Sequence, residues 1–351
     1  MIQVVGVVLL VLLALRFLLP ASPISPAAWT PPSAPAYEGP YAPNDRLASI
    51  QRLGQGAGVG PEDVAVDVEG RVYAGMVDGR IVRMNRDGSG AHDFAHTAGR
   101  PLGLDFDPAG NLIVADADQG LLSIGPDGAV RHLAREEGGR PFRLTDDVDV
   151  APDGTIYFSD ASDRFGLADY VLDLLEHRAN GRLLSYHPPS GTVRALMHPL
   201  HFANGVAVSP DGVFVLVVET ARYRVMRLWL EGPRRGESDI FIENLPGFPD
   251  GISSDGEEIF WLALVSPRDR LVDRLLPRPY LRRLLARLPR ALQPAPSRYS
   301  MVLGLDRNGR VVHNLQDPEG GFAQISSVER HADQLYFGSL VEDAVGRLPA
   351  P

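Results

Sequence analysis

From Arg52 onward the chain alternates apolar and polar residues in short runs, each broken by an Asp-Gly turn or a close relative. Period-two alternation puts successive side chains on opposite faces of a strand, and Asp-Gly between two such runs marks a hairpin. Six stretches share this form: 62–75, 102–116, 146–160, 204–219, 250–264 and 326–340. Each is followed by a further strand, at 79–88, 120–128, 181–191, 224–232, 301–309 and 345–349, that opens a second hairpin. A four-stranded unit repeating every roughly 40–50 residues is the grammar of a propeller blade. Tandem sandwiches would not give every unit the same two-hairpin grammar. The pattern predicts an all-β fold, a six-bladed β-propeller over residues 46–351. The sixth unit stops after its third strand, so the run Leu47–Leu53 ahead of the first blade is expected to supply the missing outer strand. Closure of this kind leaves no open sheet edge.

Helical spacing intrudes in two places. In the insertion 266–300, read as lying between the fifth and sixth blades, Leu281, Leu284, Leu285 and Leu288 share one helical face. Pro277, Pro279 and Pro289 cut the segment into short helices, and Arg268, Arg270, Arg274, Arg278, Arg282, Arg283, Arg287 and Arg290 are interleaved with its leucines. A basic amphipathic segment suits an anionic membrane surface; a lid over the channel mouth is the other reading. A second short helical cap is expected over 163–180.

The run Val4–Leu19 is apolar apart from Arg16, near the lower length limit for a bilayer span. Residues 1–20 are read as an N-terminal transmembrane helix, with a cleaved signal peptide as the competing reading. The absence of Lys or Arg before the run and the poor cleavage site at Ala21-Ser22 favour the anchor. Over 21–45, Pro23, Pro26, Pro31, Pro32, Pro35, Pro40 and Pro43 predict an extended spacer rather than a packed element. The expectation is a single-pass membrane protein with its propeller on the extracytoplasmic, or periplasmic, side.

Composition narrows the chemistry. A formal charge of −10 argues against nucleic acid as a partner, which would need a basic face. With no cysteine, the chain has no disulfide, thiolate nucleophile or Cys-ligated metal. No HExxH pattern supports a zinc hydrolase.

Aligned on their turns, the six innermost strands begin at Glu62, Leu102, Asp146, Asn204, Asp250 and Ser326. Blade symmetry would set these side chains at one level around the channel axis. Three carboxylates there repel one another, and a cation removes the conflict. All-oxygen ligands of mixed charge select a hard ion, and Ca²⁺ tolerates loose geometry better than Mg²⁺. The expected ligands are Glu62, Asp146, Asn204 and Asp250. Taken singly, each reads better as a turn or capping residue; four at the same repeat position favour the metal. Asp63 and Asp147, one position on, are read either as holding a second, structural ion or as hydrogen-bond acceptors.

The segments GPEDVAVD, FANGVAVSPDG, GFPDGI and HADQLYFGSL resemble those of the strictosidine synthase-like proteins, nearest the adipocyte plasma membrane-associated group, over about residues 45–350. That family is similar to the wider set of paraoxonases, gluconolactonases and luciferin-regenerating enzymes. The resemblance implies a six-bladed propeller with channel calcium and, in many members, lactone or aryl-ester hydrolysis. It implies the same ligands, Glu62, Asp146, Asn204 and Asp250. The chain departs from the pattern at Asp146 and Gly251, where Asn is usual or common. It has Leu102 where paraoxonases carry a His, and Ser326 where strictosidine synthase carries its catalytic Glu, which argues against amine–aldehyde condensation.

The expected function is that of a calcium-dependent hydrolase of lactones or aryl and carboxylic esters. Asp146 or Asp250 would take the proton of the attacking water, and His201, three residues before Asn204, is a further acid–base candidate. The alternative is a non-catalytic binding propeller whose calcium is structural. Expected partners are a small lactone or ester substrate and the membrane, through the N-terminal helix and residues 266–300.

Overall fold

The structure is a computed structural model and describes residues 21–351. The anchor or signal peptide read into residues 1–20 lies outside the described residues. Among the described residues, no helix is long and apolar enough to cross a membrane.

Six four-stranded antiparallel sheets form the body. Their innermost strands are Val64–Val66, Pro101–Phe106, Thr145–Val150, Ala203–Val208, Gly247–Ser254 and Ile325–His331. Each packs on the next and the sixth on the first, so the sheets close into a six-bladed ring. The sixth blade is completed by the N-terminal strand Gln51–Leu53, which pairs with Val345–Pro349 in the register Gln51↔Arg347. The strand expected from Leu47–Leu53 is therefore present, and the ring is sealed by both ends of the propeller sequence.

The first hairpin of each blade turns as its sequence dictates. In blade 1 the Asp67 carboxylate accepts the N–H groups of Glu69 and Arg71, and Gly70 adopts φ 78°. That left-handed conformation costs glycine nothing and other residues much. Between blades the core is apolar, as where Phe214 of blade 4 lies 5.7 Å from Phe260 of blade 5, ring centre to ring centre.

Two helical insertions cap one end of the channel. Helix α1 (Tyr170–Glu176) lies between the second and third strands of blade 3, Ile156–Asp160 and Gly181–His187. Helices α2 (Arg270–Leu275) and α3 (Pro279–Leu285) lie between the second and third strands of blade 5, Phe260–Pro267 and Ser300–Leu305. This corrects the expectation that 266–300 separates blades five and six. The insertion sits inside blade 5, because Phe260 pairs with Leu305 across it. A meander brings the connection from second to third strand back to the end where the innermost strand begins, so both caps overlie the ring positions.

The proline-rich segment is extended, as its composition predicts, but it is packed and not a free spacer. Ile24 is buried among Phe165, Leu175 and Ala286. Ala27 N–H donates to the Glu176 carbonyl at 3.0 Å and Trp29 N–H to that of Leu276 at 3.2 Å. Arg282 of α3 is fully buried and joins three segments, donating to the carbonyls of Leu175 (2.7 Å), Leu276 (2.8 Å) and Ala27. A guanidinium presents five fixed donors and suits such a joint of helix ends and an extended chain. The arm therefore clamps both caps.

Candidate functional site

The ring residues owe their aim to a repeated irregularity of the innermost strands. Register shifts fall between Thr145 and Val148, Ala203 and Val206, Pro249 and Ile252, and Ile325 and Val328. Each leaves two residues out of the ladder, and one of them is the ring residue: Asp146, Asn204, Asp250 or Ser326. A bulge of this kind bends the strand and re-aims a side chain. The blades also approach very closely here. A Cβ on Gly205 would lie 2.5 Å from the Asp250 carbonyl oxygen, and one on Gly251 2.6 Å from that of Ser326. Gly251, where the resemblance makes Asn common, is thus held by lack of space.

Glu62, Asp146, Asn204 and Asp250 come together at this level, each between 5% and 7% exposed. Asn204 donates its amide N–H to Asp250 Oδ1. Burial, then Asp250 and Asp146, push the Glu62 carboxyl well above the usual carboxylate range, with Arg100 opposing. Burial and Asp250 do the same to Asp146. Burial pushes Asp250 up to about 7 against the bond from Asn204. Arg100, the buried cation nearby, is occupied by the carbonyls of Gly60 (2.8 Å) and Gly75 (3.1 Å). Burial and crowding thus push all three carboxyls toward their neutral forms, a conflict that a bound cation relieves.

The donor set fits a hard divalent cation: three carboxylates and an amide whose oxygen a half-turn would present. As the side chains stand, no three acidic or histidine groups among the described residues are already arranged around a metal position. The other two ring positions differ in role. Ser326 Oγ donates to the Glu62 carbonyl at 2.6 Å and so fixes the backbone of a ring neighbour. Leu102 joins an apolar cluster with Leu144 and Phe202.

One level deeper, Asp63 accepts Leu104 N–H at 2.8 Å and Asp147 accepts Val206 N–H at 2.7 Å. Each therefore staples its blade to the next, as the hydrogen-bond reading anticipated. The pattern continues with Asp105 accepting Val150 N–H and Asp149 accepting Val208 N–H. With Glu329 these line a cavity of about 350 Å³ at the far end of the channel. The sequence reading did not single out Asp105, Asp149 or Glu329, although Asp149 follows Asp147, and Asp105 and Glu329 follow the equivalent positions 103 and 327, at the period-two spacing of a strand.

Above the ring lies a second cavity of about 250 Å³, bounded by the caps. Asn204 and Asp250 form its floor, and Tyr170, Leu174, Phe202 and Phe248 are among its apolar walls. Glu62 and Asp146 do not line it. Nor does His201, whose Nε2 faces Arg222 and whose backbone N–H donates to Glu219 at 2.7 Å. Burial, then Arg222, holds its imidazole down at about 3.

The histidine on the chamber wall is His177. It follows α1 in a left-handed conformation (φ 53°) and stacks on Trp29 of the arm at 4.6 Å. It is 2% exposed, and its Nε2 has no hydrogen-bond partner among the described residues. Burial, then His201 and Arg222, lowers its pKa to about 2, so the ring is neutral. Sequence reading missed it because one His after a short helical run carries no signal of where the run will dock.

Comparison with known proteins agrees with this architecture. The strictosidine synthase family pattern matches residues 146–233, and that of the strictosidine synthase-like N-terminal region matches 39–84. The adipocyte plasma membrane-associated protein of Danio rerio is 35% identical over 97% of this chain and 87% of its own length. Strictosidine synthase-like 10 of Arabidopsis thaliana is 38% identical over 82% of this chain and 84% of its own. Among solved structures, a gluconolactonase from Xanthomonas campestris aligns with TM-score 0.64 and 18% identity, covering 95% of this chain and 99% of that one. The calcium-binding protein regucalcin from Agrobacterium tumefaciens aligns with TM-score 0.58 and 18% identity, over 85% of this chain and 90% of its own. At such identities the structural likeness speaks for the fold, whereas the curated relatives, aligned over most of both chains, establish descent: the chain belongs to the strictosidine synthase-like family that includes the adipocyte plasma membrane-associated proteins.

Proposed function

We propose that the chain is a calcium-dependent hydrolase of lipophilic lactones or of aryl and carboxylic esters. The observation that carries this reading is the meeting of a buried oxygen-donor ring with a capped apolar chamber, Asn204 and Asp250 belonging to both. Glu62, Asp146, Asn204 and Asp250 would hold the ion. When bound, calcium supplies Lewis-acid stabilisation of the developing oxyanion. A gluconolactonase and a calcium-binding regucalcin among the fold neighbours support the reading.

The chain's own residues have distinct tasks in this account. Asp250, on the chamber floor, takes the proton of the attacking water, and Asp146, outside the chamber, only binds metal. The apolar walls seat the acyl or ring portion of the substrate, and the caps exclude bulk water. His177, on the chamber wall, offers the substrate or leaving group a neutral nitrogen that has no partner among the described residues. His201 has no part in the chemistry.

A binding propeller with purely structural calcium is the second reading, favoured by the non-catalytic Leu102 and Ser326 at two ring positions. The test is hydrolysis of a panel of aryl esters and lactones by the full chain, with calcium and with chelator. Calcium-dependent turnover lost in Asp250→Asn supports the hydrolase, and its absence across the panel supports the binding propeller. Membrane anchoring through Val4–Leu19, with an extracytoplasmic propeller, is part of the same proposal; the relatives' name, plasma membrane-associated, supports the membrane part.

A further inference from the structure

The segment 266–300 carries nine arginines and two aspartates in a chain whose overall charge is −10. Both aspartates are committed. Asp273 pairs with Arg268 and accepts from Tyr223, and Asp269 caps α2. The inward side of the insertion is closed by Leu276, Arg282 and Ala286, all buried against α1 and the arm.

The outward side is of mixed basic and apolar character. Arg270, Arg274, Arg278 and Arg283 are exposed, and none has a carboxylate partner among the described residues. Residues 1–20 contain no Asp or Glu to supply one. Between these cations stand Leu271 (54% exposed), Tyr280 (64%), Leu281 (40%) and Leu292 (66%). Four large apolar groups facing solvent from one insertion are costly unless something covers them. Unpaired guanidinium groups among them match a layer with anionic head groups above hydrocarbon. The described chain also begins here, for Ile24 packs on Ala286 beside α3.

We infer that the outward face of α2, α3 and the stretch to Leu292 docks on an anionic lipid surface. The arginines engage head groups, and Leu271, Tyr280, Leu281 and Leu292 enter the interfacial layer. This places the capped chamber directly beneath the membrane, with its apolar walls one helix layer from the lipid.

The chain has no cysteine, so single Leu281→Cys and Leu292→Cys variants of the full chain take one environment-sensitive fluorophore each. Val68→Cys is the control, 96% exposed on a hairpin turn at the opposite end of the channel. The labelled chains are reconstituted in vesicles of phosphatidylcholine, with or without one part in three of phosphatidylserine, and quenched with brominated lipid. Docking predicts quenching at 281 and 292, absent at 68, stronger with phosphatidylserine and weakened by high salt. Replacing Arg274, Arg278 and Arg283 by Gln lowers the docking equilibrium on the order of 100-fold, at the usual worth of one cation near an anionic surface. Thermal unfolding of these surface variants, unchanged from the parent, excludes misfolding. Water-exposed probes at 281 and 292 in both vesicles overturn the proposal and leave the face to a protein partner. Equal quenching with and without phosphatidylserine overturns the anionic-lipid assignment.

Discussion

Asn204 of blade 4 donates its side-chain amide to Asp250 of blade 5, and the two form the floor of the capped chamber. The bond partly satisfies a carboxyl that burial and two acidic neighbours would otherwise leave without compensation. In the metal-free chain, Asn204→Ala should cost about 1–3 kcal/mol, the cost of removing a partner from a buried polar group. Asp250→Asn removes a charge conflict and should leave metal-free stability equal or higher while abolishing the gain from calcium. Denaturant melts of both variants, with calcium and with chelator, check this.

The ring also sets a pH dependence. Asp250 has a folded value of about 7 against an ordinary 3.8, and Glu62 and Asp146 are raised in the same direction. As pH rises, the unfolded chain ionises first, so these groups take stability away as pH climbs from the unfolded to the folded value. His177 and His201, lowered from 6.5 to about 2 and about 3, act oppositely, costing stability as pH falls below 6.5. Above pH 6.5 the histidines add nothing further. The melting temperature of the chelated chain should therefore fall from pH 6.5 to about pH 8, each tenfold difference in proton affinity being worth about 1.4 kcal/mol. Saturating calcium should flatten the curve, adding about 2.7 kcal/mol at a hundred times Kd.

Arg282 is the joint between arm and caps. Arg282→Met leaves the carbonyls of Leu175, Leu276 and Ala27 without their donor and should cost about 3 kcal/mol or more. The loss should be local, seen as faster proteolysis within 163–180 and 266–300 while the propeller strands stay protected. Deleting residues 1–44 should have the same effect, since it removes Ile24, Ala27 and Trp29 from the caps.

His177 and His201 lie 5.2 Å apart, centre to centre, yet only His177 lines the chamber. His177→Gln should lower turnover about 10-fold, the scale of losing one neutral hydrogen bond to the substrate, because a ring held down at about 2 does not serve as an acid–base group. His201→Gln should leave it within a few-fold. Steady-state kinetics on any ester the parent cleaves decide between the two.

Gly205 stands where a Cβ would lie 2.5 Å from the Asp250 carbonyl oxygen, a backbone atom. Gly205→Ala must push blades 4 and 5 apart at the ring. It should cost about 1–3 kcal/mol, as overpacking does, and weaken calcium binding more than an equal loss of stability elsewhere in the blade.

The blade count and the ring were legible because a repeat transfers register. Once the hairpin turns align, Glu62, Asp146, Asn204 and Asp250 fall at one level whatever the loops do. The closing strand was legible for the same reason, as Gln51–Leu53 fills the one gap in the repeat. The insertion 266–300 was misplaced because only the long-range pairing of Phe260 with Leu305 assigns it to blade 5. The arm was read as a spacer because proline content reports extension, whereas the burial of Ile24 depends on Phe165, Leu175 and Ala286, far along the chain. His201 stands three residues before Asn204 in sequence, yet it does not line the chamber. The connection after α1 brings His177 to the chamber wall instead.

Calcium titration of the purified full chain by isothermal calorimetry tests the central claim most directly. The account predicts saturable binding that is lost in Asp250→Ala and Asn204→Ala and retained in His201→Gln. Absence of binding in the parent, or binding unchanged in both ring variants, would contradict a calcium centre on Glu62, Asp146, Asn204 and Asp250.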